Sequence, residues 1–339
     1  MKNVIFFILI MMVISLSGCS WQTVSLNNFE NYAGSSYQGN YIWSGAMNLA
    51  WNDLNENVLG EELKINSTDQ RILDIVEKFN TSPFSKKDLD SKSYYIKSGY
   101  GQKTIKAINQ ESKEKFPGKS FSDLGLNLGP KDMIAYAYFL KEVEYMNQFS
   151  ETKVSFKGDK VEGFFARGEE RDNVEILKYW DDDKFIVKLK LKDQDDILIL
   201  AKGFNPDNPK EVLAEMAKYD IVQRLNEGDA FEMPKLHLDY DRKYDVLIDQ
   251  KLANEKFTEY SISAMQEKIK FDLDHRGARV ESEAFIGITG GVMDEKPSSK
   301  PKLLVLDKPF WVIMKRNDSS NPYFILGVNN IEIMDKITE

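Results

Sequence analysis

Few residues in this chain have the types and spacing that chemistry requires. The two histidines, His237 and His275, stand in separate strand-like contexts, and neither has a Cys, Asp or Glu at metal-ligand spacing. No Gly-x-Ser-x-Gly elbow marks a nucleophilic serine, although a Ser-His-Asp arrangement built from distant positions stays open. Asp181-Asp182-Asp183 and the run from Asp193 to Asp196 offer oxygens to calcium, but neither has the ligand order of a calcium loop. Each reads as a solvated turn between strands. Gly290-Gly291 lacks the strand–loop–helix setting of a phosphate cradle. Cys19 is the only cysteine, which rules out an internal disulfide. The expectation is a protein that is not an enzyme and needs no cofactor or metal.

What Cys19 does follows from what precedes it. Met1-Lys2-Asn3 leads into an apolar run from Val4 to Ile14, then Leu16-Ser17-Gly18-Cys19. A short positive segment, an apolar stretch of about 7–15 residues and small residues before a cut make an export signal. The run is too short to span a bilayer, which takes roughly 20 apolar residues. Leu-Ser-Gly-Cys resembles the lipobox of bacterial lipoproteins, in which the thiol is acylated and the chain is cut before it. The resemblance implies a signal peptide at 1–18, a lipid anchor on Cys19 and tethering to the membrane by two or three acyl chains. The Ser, Asn, Gly and Tyr that follow suit a flexible stalk over 19–39, leaving one domain at 40–339. Ser20, where an Asp would retain the protein at an inner membrane, favours the outer membrane if the organism has two.

The formal net charge is −9, and one unit more negative without Lys2. That argues against nucleic acid, or anionic lipid, as an electrostatic partner. With 42% hydrophobic residues the chain can build a sizeable core, and a monomer is expected. Helical periodicity covers Asn40 to Leu63, Asp69 to Phe79, Lys103 to Phe116 and Lys210 to Leu225. Strand patterns cover Ser93–Lys97, Val154–Phe165, Val174–Lys178, Phe185–Leu191, Ile197–Ala201, His237-Leu238, Lys268–Leu273, Leu303–Lys315 and Tyr323–Val328. Met133 to Leu140 is a nearly unbroken apolar run, as expected of a strand buried on both faces. Helices mostly first and strands mostly afterwards predict an α+β fold.

Several of these strands resemble one family. Leu304-Val305-Leu306-Asp307-Lys308-Pro309-Phe310-Trp311-Val312-Ile313-Met314 is similar to the C-terminal signature of serpins, with Trp311 where the family prefers a smaller apolar residue. Pro322 to Val328 resembles the family's last core strand, and Met233 to Tyr240 its Leu-Pro-Lys-Phe strand. Met133 to Lys141 resembles its buried central strand, with Leu140 intervening in the Tyr-Phe-Lys ending. Ile108-Asn109 and Gly118-Lys119 look like marks of the helix across sheet A, and Tyr95 to Tyr100 like a sheet A strand. The three strand segments from Val161 to Ala201 follow in family order, and Tyr41 to Ser44 looks, more faintly, like the opening strand. The likeness covers about residues 40–330, in collinear order. It implies N-terminal helices, large mixed or antiparallel sheets and an exposed reactive-loop-like segment near 277–302. Leu63 to Tyr94 is short for the helices the family places there, so the fold would be a trimmed serpin.

Inhibitory serpins trap a serine or cysteine protease by inserting the cleaved loop as an extra strand. Side chains alternate along a strand, so every second loop residue must fit beneath the sheet. Aligning Gly277 with the family's hinge glycine puts Ala278, Val280, Ser282, Ala284 and Ile286 on one face. Arg279, Glu281, Glu283 and Phe285 fall on the other, more charged than an inhibitory hinge usually is, and His275 sits where an acid is usual. The same pattern also fits an ordinary amphipathic edge strand. The scissile bond falls between Gly290 and Ser298, an interval holding Gly291, Val292, Met293 and Lys296, with Pro297 disfavouring cleavage after Lys296. Two functions remain: a membrane-tethered serpin-like inhibitor, or a non-inhibitory binding or scaffold lipoprotein of the cell envelope.

Overall fold

The structure is a computed structural model that describes residues 32–119, 121, 123–219, 222–280 and 301–337. β1 (Ser35–Tyr37) and β2 (Asn40–Ser44) form a hairpin, and α1 (Ala46–Leu54) follows, widening into a π turn at Asn55–Leu59. The periodicity that suggests helix from Asn40 onward is overridden at β2, because Phe324–Gly327 offer Tyr41–Ser44 a ladder. α2 (Gln70–Asn80) starts at Asp69, whose carboxylate accepts the Arg71 N–H at 2.9 Å. Trp51 of α1 stacks on Phe79 of α2 at 4.9 Å and donates its indole N–H to Asn80 at 2.7 Å. Between Leu63 and Tyr94 the only helical pieces are α2 and one short turn at Lys86–Asp88, so this region is trimmed.

β3 (Tyr94–Tyr100) leads straight into α3 (Gly101–Lys115). The abrupt change of direction needs Gly101, which has φ +64°. β4 (Met133–Phe139) pairs with β3 along its length, and β5 (Lys141–Glu144) continues it after Leu140 alone. β4 is not buried on both faces: Met133 to Tyr138 are half-buried, because β3 is its one ladder neighbour among the described residues. α3 covers one side, with Phe116 against Tyr138 at 4.7 Å.

Two antiparallel sets follow: β6 (Ser150–Phe156) pairs with β7 (Asp159–Phe165), and in another sheet β8 (Val174–Asp181) pairs with β9 (Lys184–Leu189) and β9 with β10 (Asp196–Lys202). α4 (Lys210–Met216) is shorter than the pattern to Leu225, because Gln223–Arg224 pair with the edge of β8 as β11 (Gln223–Arg224). β12 (Ala230–Pro234), β13 (Leu236–Lys243), β14 (Gln266–Leu273), β15 (Gly277–Val280), β16 (Leu303–Val305), β17 (Phe310–Arg316) and β18 (Pro322–Val328) complete the chain.

The strands form an eight-stranded sheet, β1-β2-β18-β17-β10-β9-β8-β11, two four-stranded sheets, β16-β12-β7-β6 and β13-β14-β15-β5, and the pair β3-β4. β10, β17 and β18 are central to the largest sheet, which explains their continuous apolar sequences: Phe310 to Met314 and Tyr323 to Leu326 are fully buried. Trp311 is accommodated opposite Gly327, where a Cβ would lie 2.9 Å from the indole, and its N–H donates to the Asn205 carbonyl at 3.1 Å. Asp307 of the Leu304–Met314 segment accepts from Lys202 Nζ at 2.6 Å, beneath the Asp181–Asp183 turn. That turn is as expected, but the second acidic run is not wholly solvated: Asp196 is 3% exposed. No helix among the described residues is long and apolar enough to cross a membrane.

Candidate functional site

The site grows out of one tight turn. β14 ends at Leu273, the chain reverses through Asp274-His275-Arg276, and β15 returns between β14 and β5. Asp274 shapes the turn by accepting the Arg276 backbone N–H at 2.8 Å and its Nε at 2.9 Å. Burial works upward on the Asp274 carboxyl, but these bonds and the Arg276 charge hold it below the usual range. The Tyr145 N–H donates to the Arg276 carbonyl at 3.0 Å and the Phe149 N–H to the His275 carbonyl at 2.8 Å. His275 therefore sits in a turn and not in a strand, whereas His237 lies on β13 beside Asp272.

β15 approaches β5 so closely that a Cβ on Gly277 would stand 2.0 Å from the Val143 carbonyl oxygen. Only glycine fits there. Beyond it the side chains alternate: Ala278 and Val280 are buried at 2% and 3%, while Arg279 faces the other way and pairs with Glu142 at 3.1 Å. Val280 lies opposite Phe271 of β14 and Lys141 of β5. Past this point both ladders open: among the described residues, Gln266 to Lys270 pair with β13 alone and β4 with β3 alone.

Three buried ionisable side chains lie near the two ends of this stretch, Lys141 with Asp196 at one and Glu267 at the other. Lys141 Nζ is 2.5 Å from Asp196 Oδ2, and the Tyr323 hydroxyl donates to Asp196 Oδ1 at 3.2 Å. Burial raises the Asp196 pKa, opposed by Lys141 and Tyr323. At the other end of β14, Glu267 accepts from the Ser44 hydroxyl at 2.5 Å and from the Tyr244 hydroxyl at 3.1 Å. It also accepts the Met47 N–H in the first turn of α1. Burial pushes its pKa up against the Arg242 charge and these hydrogen bonds. Asn48, next along α1, is 1% exposed, and its amide finds no hydrogen-bond partner among the described residues. No cluster of metal-binding side chains occurs among the described residues.

Of the residues singled out in the sequence, Gly277, Ala278 and Val280 are brought together in β15. Ser282, Ala284, Gly291, Val292, Met293, Lys296, Ser298 and Cys19 lie outside the described residues. Asp196 is visible only as part of the acidic run from Asp193, and Lys141, Asn48 and Glu267 carry no sequence signal of a site: Ser44 and Glu267, for example, are 223 positions apart.

This architecture is a serpin-like α+β fold, with few helices and several multi-stranded sheets. Serpin48, a highly specific serpin of the insect Tenebrio molitor, superposes with a TM-score of 0.52 at 12% identity, covering 90% of this chain and 96% of that one. The mouse protein-Z dependent protease inhibitor superposes with the same TM-score at 14% identity, covering 90% and 94%. No family model and no curated protein sequence matches the chain.

Proposed function

We propose that this chain is a membrane-tethered, serpin-like protease inhibitor acting through the loop that follows β15, near residues 277–302. The observation that carries the reading is the seat of β15: one strand already lies between β14 and β5, and among the described residues nothing pairs with the facing edges beyond Val280. A strand continuing from Val280 meets Lys270 to Gln266 on one side and β4 on the other, so main-chain hydrogen bonds would drive its insertion. On insertion Ala278, Val280, Ser282 and Ala284 would form the inward face, with cleavage between Gly290 and Ser298. The target is a serine or cysteine protease, and no step requires an enzyme activity or cofactor of this chain. The lipid on Cys19 would hold a local supply at the cell envelope, the outer membrane where there are two, since each trapping event consumes one monomer.

Incubation with a panel of serine and cysteine proteases tests the reading. An SDS-stable complex supports it; cleavage of the loop without any complex or gain in thermal stability removes it. Incorporation of labelled palmitate that Cys19→Ala abolishes would support the anchor.

The Arg279–Glu142 ion pair, 3.1 Å across β15 and β5, favours a second reading, a non-inhibitory binding scaffold. It shows the outward edge of the segment to be charged, and Glu281 and Glu283, next on that edge in sequence, would slow insertion if they must desolvate on entry. Retrieval of a stable envelope partner, with no protease trapped, would support that alternative.

A further inference from the structure

The turn that roots β15 contains a buried histidine whose Nδ1 finds no hydrogen-bond partner among the described residues. His275 is 9% exposed, and its Nδ1 lies 3.3 Å from Glu151 Oε1 without making a hydrogen bond. Glu151, on β6, is already engaged by Lys235 from the link between β12 and β13. Asp274, the other carboxylate facing the ring, is engaged by Arg276. Each anion around His275 thus has a cation of its own. A proton on the imidazole would add a third positive charge beside Lys235 and Arg276, buried and without an unshared counterion.

We propose that His275 is a proton-controlled catch on the root of β15: neutral, it lets the Asp274–Arg276 turn stay seated against β6, and protonated, it loosens that turn. The turn is fastened to the Tyr145–Phe149 segment through the carbonyls of His275 and Arg276, so loosening it weakens the hold on β15 between β14 and β5. Burial, the largest influence, lowers the His275 pKa below 6.5; Asp274 and Glu151 pull it upward, and Lys235 and Arg276 downward. A base with a lowered folded pKa binds its proton better once exposed. The seat is therefore fully stable above the ordinary imidazole pKa and weakens as pH falls below it. The catch concerns β15 itself and needs no protease, so failure to trap one leaves it standing.

Hydrogen–deuterium exchange of Gly277–Val280 in the purified full chain, corrected for intrinsic rates and followed from pH 8 to pH 5 (about 3 units spanning the imidazole range), tests it. Protection should fall on acidification by up to about tenfold for each unit by which burial lowers the pKa. The fall should vanish in His275→Gln and persist in His237→Gln. Protection independent of pH, or a fall retained in His275→Gln, overturns the catch. Should His275→Gln fail to fold, imidazole NMR of the wild-type protein decides. A His275 titration below that of an exposed histidine supports the proposal, and one at or above it refutes it.

Discussion

The Ser44 hydroxyl donates a 2.5 Å hydrogen bond to the buried Glu267 carboxylate, joining the end of β2 to the start of β14. With the Met47 N–H and the Tyr244 hydroxyl, it makes Glu267 a cap for α1 supplied from another element. Glu267→Ala strands these donors in the interior and should cost about 2–4 kcal/mol in urea unfolding. Glu267→Gln, which keeps an acceptor and the shape, should cost less.

The same group gives a pH signature. Because burial raises the folded pKa of Glu267 above its usual 4.5, the folded state holds this proton more tightly than the unfolded chain. Its contribution should therefore be greatest in acid, falling as pH rises from the ordinary carboxylate range through the raised value and then levelling. Comparing stability against pH in the wild type and Glu267→Gln isolates the slope, which should be missing from the variant.

Asp196 and Lys141 are a second buried dependence. Asp196→Asn leaves the Lys141 ammonium unpaired at 8% exposure, and the loss should be about 3–5 kcal/mol. Replacing both, as Lys141→Met with Asp196→Leu, should recover most of it, since no charge then remains to desolvate. A double-mutant cycle in urea measures the difference.

Gly277→Ala places a methyl 2.0 Å from the Val143 carbonyl, and backbone cannot give way as a side chain can. β15 should leave its seat, losing amide protection over Gly277–Val280 while the eight-stranded sheet keeps its own. If the chain traps a protease, this variant should shift from trapping towards simple cleavage of the loop.

What the sequence discloses depends on how local the signal is. β17 and β18 are legible because strands buried on both faces are written as continuous apolar runs, although the pattern over Leu303–Lys315 is broken after Val305 and resumes at Phe310. α2 is legible from its stripe and its Asp69 cap. β2 and the end of α4 mislead, since each is decided by a ladder partner far away along the chain, Phe324–Gly327 in one case and β8 in the other. The half-burial of β4 is set by having one neighbour, which no residue of β4 encodes. At the site, the alternation in Ala278 to Val280 is visible as a pattern of two. The networks of Lys141, Glu267 and His275 are not, because each joins residues whose types are ordinary and whose proximity exists only after folding.

The central claim is that the loop after β15 can become a strand of the sheet that β15 has entered. The most direct measurement is the melting temperature of the purified protein before and after a single cut between Gly290 and Ser298. Insertion predicts a large rise, with new exchange protection along β4 and along β14 from Gln266 to Lys270. An unchanged or lower melting temperature, with those edges exchanging as before, would contradict it.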